Sequence, residues 1–129
     1  MTSTTTTNSS IIDYDELIDR MMGSAAMASR MLKRFVETAR VDCDDLESTV
    51  RLGDKSTLSS LAHRHKGTAR TMAMPRVAEV AAELERRAHS DSTSELLGLV
   101  DELRQLHGEV SRIEEIGLSN LPCNQGREE

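Results

Sequence analysis

Four stretches of this sequence repeat their apolar residues at intervals of three and four positions. In the clearest of them, apolar side chains recur at positions 96, 99, 100, 103, 106, 110 and 113. That period places them on one face of an α-helix. No stretch alternates apolar and polar residues as a half-buried strand does, and the aromatic residues that strands favour make up only 2% of the chain. The chain is therefore predicted to be all-α.

Helix boundaries follow from capping residues, glycines and prolines. Gly53 is predicted to end one helix, and Pro75 to begin another. The interruption of the apolar stripe at Asp42 and Cys43 allows a kink inside the second helix. The predicted N-terminal caps are Asp13, Ser24, Asp54 and Ser92, the last in a capping box with Glu95. Together these signals predict a short helix from Asp13 to Met22 and helices over about 25–51, 55–72, 75–89 and 93–116.

Four amphipathic helices with short connections predict an antiparallel up-down four-helix bundle. The short additional N-terminal helix, with Leu17, Ile18, Met21 and Met22 on its apolar side, is expected across one end of the bundle or along a flank. A chain of 129 residues makes one domain, and we place the bundle at 11–116. Residues 1–10 and the tail at 117–129 have little to bury and are predicted to be disordered and flexible.

Charge and composition exclude several classes of function. The formal net charge is -6, which disfavours wholesale nucleic-acid binding. No apolar run resembles a signal peptide or a membrane span, so a cytoplasmic protein is expected. The two cysteines, Cys43 and Cys123, lack the spacing of a metal site and are interpreted as free thiols in a reducing compartment.

His63, Lys66 and Gly67 lie within the predicted third helix. Residues three and four apart share a helix face, so a titratable nucleophile, a cation and a position without a side chain form one patch. Glycine inside a helix costs roughly 1 kcal/mol relative to alanine. We interpret the patch as a reactive site that needs open space, with His63 at least partly exposed.

Glu85 is predicted to face His63 across a helical hairpin. His63 lies 11 residues before Met74 at the turn, and Glu85 lies 11 residues after it. Both helices rise about 1.5 Å per residue, so the two side chains return to the same level. Glu85 could then hydrogen-bond one ring nitrogen of His63 and raise the nucleophilicity of the other. A solvated surface glutamate is the alternative.

The other histidines differ in position. His65 falls on the apolar stripe of its helix, so we predict a core residue. A second phosphoryl acceptor and a metal ligand are the functional alternatives for it. His89 and His107 show no partner pattern and are predicted to lie on the surface.

The predicted hairpin is locally basic. Residues 62–90 hold six Lys and Arg residues and three Glu residues, which gives this stretch a net charge of +3. An acidic partner would be steered towards it. The predicted docking face consists of Ser59, Ser60, Arg64 and Arg70, with Met21 or Met22 from the first helix.

The stretch Ala62-His63-Arg64-His65-Lys66-Gly67-Thr68-Ala69, set in this hairpin, resembles the histidine-containing phosphotransfer (HPt) domain of bacterial and eukaryotic phosphorelays. The likeness in helix order and length extends over about 12–116. Three positions depart from the family pattern, the mildest being Thr68 in place of the usual Ser. His65 stands where the family usually has Leu, and Ala73 where it usually has Gly before the turn.

The resemblance implies a role for each residue of the patch. His63 would carry the phosphoryl group on Nε2, and Lys66 would balance charge on the phosphoryl oxygens. Gly67 would let a receiver domain approach closely. Glu85 matches the position, often Gln in the family, that hydrogen-bonds the other ring nitrogen.

The implied function is that of a phosphohistidine carrier rather than an independent kinase, because the chain has no nucleotide-binding pattern. We expect a free-standing shuttle between aspartates of receiver domains, with response-regulator receivers, a hybrid sensor histidine kinase, or both as partners. No cofactor of its own is expected, and Mg²⁺ would belong to the receiver. The alternatives are a non-catalytic helical adaptor and a metal-binding bundle. The latter uses Glu-x-x-His pairs, and no histidine here has a Glu three residues before it.

Overall fold

The computed structural model describes residues 11–117, which form five helices in succession. We name them α1 (Tyr14–Arg20), α2 (Ala25–Leu52), α3 (Lys55–Thr71), α4 (Pro75–Arg87) and α5 (Thr93–Ile116). The described part of the chain contains no strand, so the predicted all-α class is confirmed. Helices α2 to α5 each pack against their sequence neighbours, and α5 returns against α2 to close the bundle.

Capping side chains begin four of the five helices where the sequence predicts it. An oxygen of each cap accepts a hydrogen bond from the backbone N–H three residues later, at 3.0–3.2 Å. These caps are Asp13, Ser24, Asp54 and Ser92. Gly53 ends α2 in the left-handed conformation with φ 75°, a conformation that costs glycine little. The helix ends are therefore fixed by local chemistry.

One helix end is predicted wrongly, and the apolar stripe of α2 is more continuous than the sequence indicates. α1 ends at Arg20 rather than Met22, whose backbone is left-handed (φ 59°) and whose side chain is 94% exposed. Met22 is thus no part of the apolar side of α1. α2 runs from Ala25 to Leu52 without a break at Asp42 and Cys43. Cys43 is buried, so it continues the apolar stripe instead of interrupting it.

The N-terminal segment packs against the turn between α3 and α4. Ile11, Ile12 and Leu17 are buried in the common core. The backbone N–H of Asp13 donates to the carbonyl of Ala73 at 2.7 Å, and the guanidinium of Arg20 donates to the carbonyl of Arg70. α1 therefore covers the end of the bundle at which α3 finishes.

Ala73 makes that turn with a left-handed backbone, φ 57°. Its side chain is buried, together with those of Met72 and Met74. A residue with a Cβ in this conformation costs roughly 1–2 kcal/mol, so the turn is strained where a glycine would not be. The predictions for residues 1–10, for the tail beyond Gly117 and for Cys123 lie outside the described residues.

None of the helices between residues 11 and 117 is both long and apolar enough to cross a membrane.

Candidate functional site

His63 projects from the middle of α3 with its side chain 67% exposed. Its Nδ1 atom lies 2.9 Å from Oε2 of Glu85 on α4. The two residues are brought together by the antiparallel hairpin, at the level that equal distances from the turn predict. The Nε2 atom of His63 makes no hydrogen bond within residues 11–117 and faces away from that pair.

Glu85 joins two members of the predicted site. While Oε2 contacts His63, Oε1 lies 2.8 Å from Nζ of Lys66. The ammonium of Lys66 lowers the pKa of the Glu85 carboxyl below its usual value; burial opposes this, and the hydrogen bond to His63 adds to the lowering. Glu85 is therefore a carboxylate that accepts the Nδ1 proton of His63. The neutral ring consequently has its free electron pair on Nε2.

Lys66 is more enclosed than its position beside His63 suggests. Its side chain is 17% exposed, because the apolar stem lies along the α3–α4 interface while the ammonium reaches Glu85. The contact holds the cation one helical turn from His63. His63, Lys66 and Glu85 thus form one hydrogen-bonded group on the surface of the hairpin.

Gly67 lies one residue further along α3, within the helix and exposed. A Cβ atom built at this position meets no heavy atom within 4 Å. Nothing in the fold of the described residues therefore requires glycine here. The missing side chain leaves a flat surface beside His63.

The predicted docking residues lie around the same part of α3. Ser60, Arg64 and Arg70 are exposed, and Ser59 is half-buried. Met21 is half-buried and Met22 is exposed just after α1, the helix that contacts the end of α3 near Arg70. These positions give an open surface with basic side chains beside His63.

His65 lies on the opposite side of α3 from His63, inside the bundle, where it meets the half-buried His107 of α5. His65 is 3% exposed, which confirms it as a core residue and leaves it unavailable as a second phosphoryl acceptor. Its Nε2 atom lies 2.9 Å from Nε2 of His107 on α5. The prediction that His107 is a surface residue without a partner is wrong, whereas His89 is exposed as predicted.

The sequence did contain a signal for His107. It follows buried Leu103 by four residues and precedes buried Val110 by three, so it shares their helix face. Its Nδ1 atom lies 3.3 Å from Sγ of Cys43 on α2. No group of three or more His, Cys, Asp and Glu side chains in residues 11–117 is arranged to hold a metal ion.

Comparison with known proteins gives one match. The family model of the Hpt domain matches residues 30–115, which include the whole basic hairpin at 62–90 with His63, Lys66, Gly67 and Glu85. No match is found among curated proteins or among solved structures. The matched region covers most of α2 and all of α3 and α4, and it ends one residue before α5 does. The chain therefore belongs to the Hpt domain family, which supports a histidine phosphotransfer role in a phosphorelay.

Proposed function

We propose that His63 is the phosphoacceptor of this domain and that it carries a phosphoryl group on Nε2 between aspartates of receiver domains. The observation that carries the proposal is the hydrogen bond between Nδ1 of His63 and the Glu85 carboxylate. That contact fixes the tautomer and orients an exposed ring, so that its nucleophilic nitrogen points to solvent.

The bonds and charges of the phosphoryl transfer are all accounted for without a cofactor bound to this chain. The Nε2 electron pair of His63 attacks phosphorus of an aspartyl phosphate, and the phosphorus–oxygen bond to the receiver breaks. The bonding pair leaves with the aspartate as a carboxylate. The imidazole keeps its Nδ1 proton and gains positive charge, which the Glu85 carboxylate stabilises. The second receiver reverses these steps, and catalysis consists mainly of alignment and charge stabilisation. Mg²⁺ would be supplied by the receiver's acidic pocket.

Lys66 and Gly67 support the same chemistry. The Lys66 ammonium, held by Glu85 one turn from His63, is placed to offset the charge that arrives with the phosphoryl oxygens. The flat surface at Gly67 lets a second protein approach the ring. The basic side chains of Arg64 and Arg70 favour an acidic partner surface, such as the pocket of a receiver domain.

The test is phosphotransfer from a radiolabelled phospho-receiver with Mg²⁺ to the wild-type chain, His63→Gln and His65→Gln. Candidate receivers are taken from the same organism, together with the receiver of any hybrid sensor kinase. We expect acid-labile, alkali-stable label on the wild type and on His65→Gln, and none on His63→Gln. Circular dichroism of each variant confirms that the helices are intact.

The outcomes separate the candidate functions. Label that disappears only in His65→Gln would contradict the assignment of His63. Binding to receivers without label on any variant would identify a non-catalytic adaptor, the second candidate. The free-standing form of the carrier stays a prediction, which the size of the mature protein detected in its host would test.

A further inference from the structure

Four polar side chains behind the His63 surface form a chain of contacts through the bundle, with Cys43 and His65 buried and Asp42 and His107 half-buried. Asp42 and Cys43 come from α2, His65 from α3 and His107 from α5. Nε2 of His65 lies 2.9 Å from Nε2 of His107, and Nδ1 of His107 lies 3.3 Å from Sγ of Cys43. Nδ1 of His65 lies 3.4 Å from Oδ2 of Asp42. We call these four residues the histidine relay.

The proton positions in the histidine relay can be assigned by starting from the Cys43 thiol. Burial raises the pKa of the Cys43 thiol to about 11, so Cys43 keeps its proton and donates to Nδ1 of His107. His107 then holds its own proton on Nε2 and donates it to Nε2 of His65. His65 must hold its proton on Nδ1, facing the carboxylate of Asp42. The ring of His107 is neutral in this arrangement.

The contact between His65 and Asp42 is the weakest in the histidine relay. The 3.4 Å contact lacks the alignment of a hydrogen bond, and Nδ1 of His65 is buried without a well-formed partner within the described residues. The facing imidazole nevertheless lowers the pKa of the Asp42 carboxyl, against the opposing effect of burial. Asp42 thus remains a carboxylate at neutral and mildly acidic pH.

A further proton is poorly tolerated at His107. It would bind Nδ1 and remove the acceptor of the Cys43 thiol proton. The resulting cation would be half-buried beside the ring of Phe35, whose centroid is 5.5 Å away, and would lie near His65. Burial, followed by the neighbouring His65, lowers the pKa of His107 from 6.5 to about 4, while Asp42 acts in the opposite direction and Arg104 adds further repulsion.

We propose that the histidine relay is a pH-sensitive latch: it holds α5 against α2 and α3 while His107 is neutral, and protonation of His107 releases α5. The charged and titratable groups that face the latch come from every helix around it. Besides the four residues of the relay itself, they are Asp44 and Glu47 of α2, Arg64 of α3 and Arg104 of α5. The latch shares no side chain with the surface group of His63, Lys66 and Glu85.

The direction of the pH effect on stability follows from the linkage between protonation and folding. A histidine that is harder to protonate in the folded than in the unfolded chain takes up its proton on unfolding, so stability falls as the pH drops through the interval between 6.5 and about 4. For His107 alone, the unfolding equilibrium constant should rise about 20-fold between pH 7 and pH 5. Between pH 7 and pH 5 the Asp42 carboxyl stays ionised, because its pKa in the fold is lowered from 3.8, and the Cys43 thiol stays protonated, because its pKa is raised.

The first experiment is a ¹⁵N NMR titration of the histidine rings in the full-length wild-type chain. We expect His107 to show a proton on Nε2 and to stay neutral until the pH approaches 4. Titration of His107 near the ordinary value of 6.5, or a neutral ring with its proton on Nδ1, would overturn the proposal. This measurement needs no variant, so it does not depend on the folding of a mutant.

The second experiment compares denaturant unfolding at pH 7 and pH 5 in the wild type, in His65→Leu/His107→Leu and in the control His89→Gln. His89 is an exposed histidine outside the relay. Between pH 7 and pH 5 the unfolding constant should rise about 20-fold more in the wild type than in the double variant, which lacks His107. The His89→Gln control should behave like the wild type. Equal pH dependence in wild type and double variant would overturn the latch.

Amide hydrogen exchange locates the release. After correction for the intrinsic effect of pH, protection around His107 in α5 should fall by up to about 20-fold between pH 7 and pH 5, because His107 takes up its proton when α5 opens, and α4 should change less. Unchanged protection in α5 relative to α4 would contradict a release of that helix.

Discussion

α3 presents two histidines, only two residues apart, to opposite environments. His63 is mostly exposed and contacts one carboxylate at the surface, whereas His65 is buried and contacts a second histidine from α5. A spacing of two residues on a helix turns the side chains about 200° apart. The same residue type is therefore available for chemistry at one position and contributes to packing at the other.

The largest effect expected from this contrast is on stability. His65→Ala removes a buried ring and leaves His107 without its partner, so the free energy of unfolding should fall by about 2–4 kcal/mol. His63→Ala should change it by about 0.5 kcal/mol or less, because the ring is exposed. Urea unfolding at pH 7 measures both. Equal losses for the two variants would break the contrast between the buried and the exposed face.

Substitutions at Glu85 test the role of exposed His63 in the comparison with buried His65. Glu85→Ala removes the acceptor that orients His63, and the rate of phosphotransfer should fall by up to about 100-fold. Glu85→Gln keeps an oxygen that can accept the Nδ1 proton, so its rate should stay closer to the wild type. Single-turnover transfer from a phospho-receiver gives the rates. An Ala variant as fast as the Gln variant would show that the hydrogen bond does not matter.

Gly67 tests whether the exposed face of α3 is shaped for a partner. Gly67→Ala should raise the free energy of unfolding by up to about 1 kcal/mol, because alanine favours the helix and nothing lies within 4 Å of the added atom. The same change should weaken receiver binding and slow phosphotransfer.

Gly98 provides the matched control, since it is also helical, exposed and free of neighbours around an added Cβ. Gly98→Ala should stabilise the chain similarly and leave transfer unchanged. If both variants transfer equally well, the glycine beside His63 has no role in docking.

The smallest effect is expected for a substitution at Ala73, which lies beyond the end of α3 and on neither of its two faces. Ala73→Gly relieves the left-handed strain at the end of that helix, but it also adds entropy to the unfolded chain. The net gain should be about 0.5–1 kcal/mol, with transfer rates unchanged. Thermal unfolding measures the gain, and a lower midpoint would mean that burial of the Ala73 methyl outweighs the strain.

Much of the His63 surface could be predicted because its geometry is nearly local. The spacing of His63, Lys66 and Gly67 is set within one helix, and the level of Glu85 follows from counting residues on either side of one turn. The same reasoning could not place the Lys66 ammonium on Glu85, because that contact depends on how closely α3 and α4 pack.

The buried side was predicted less completely. The apolar period placed His65 in the core, but its partner on α5 is 42 residues away in sequence, and Cys43 is 64 residues from His107. Pairings at such separations depend on which helix faces meet and on the rotation of each helix. The failure at Met22 has another cause, since the left-handed turn there ends α1 two residues before its apolar pattern does.

The sequence by itself determined the helices, because caps, glycines and apolar periodicity act within a few residues of the backbone that they organise. It also determined the face of α3 that carries His63. Only the tertiary structure decided that α1 covers the α3–α4 turn, that Glu85 serves both His63 and Lys66, and that three helices meet in the histidine relay. Those outcomes depend on the simultaneous packing of surfaces that are distant in the chain, and no local interaction specifies them.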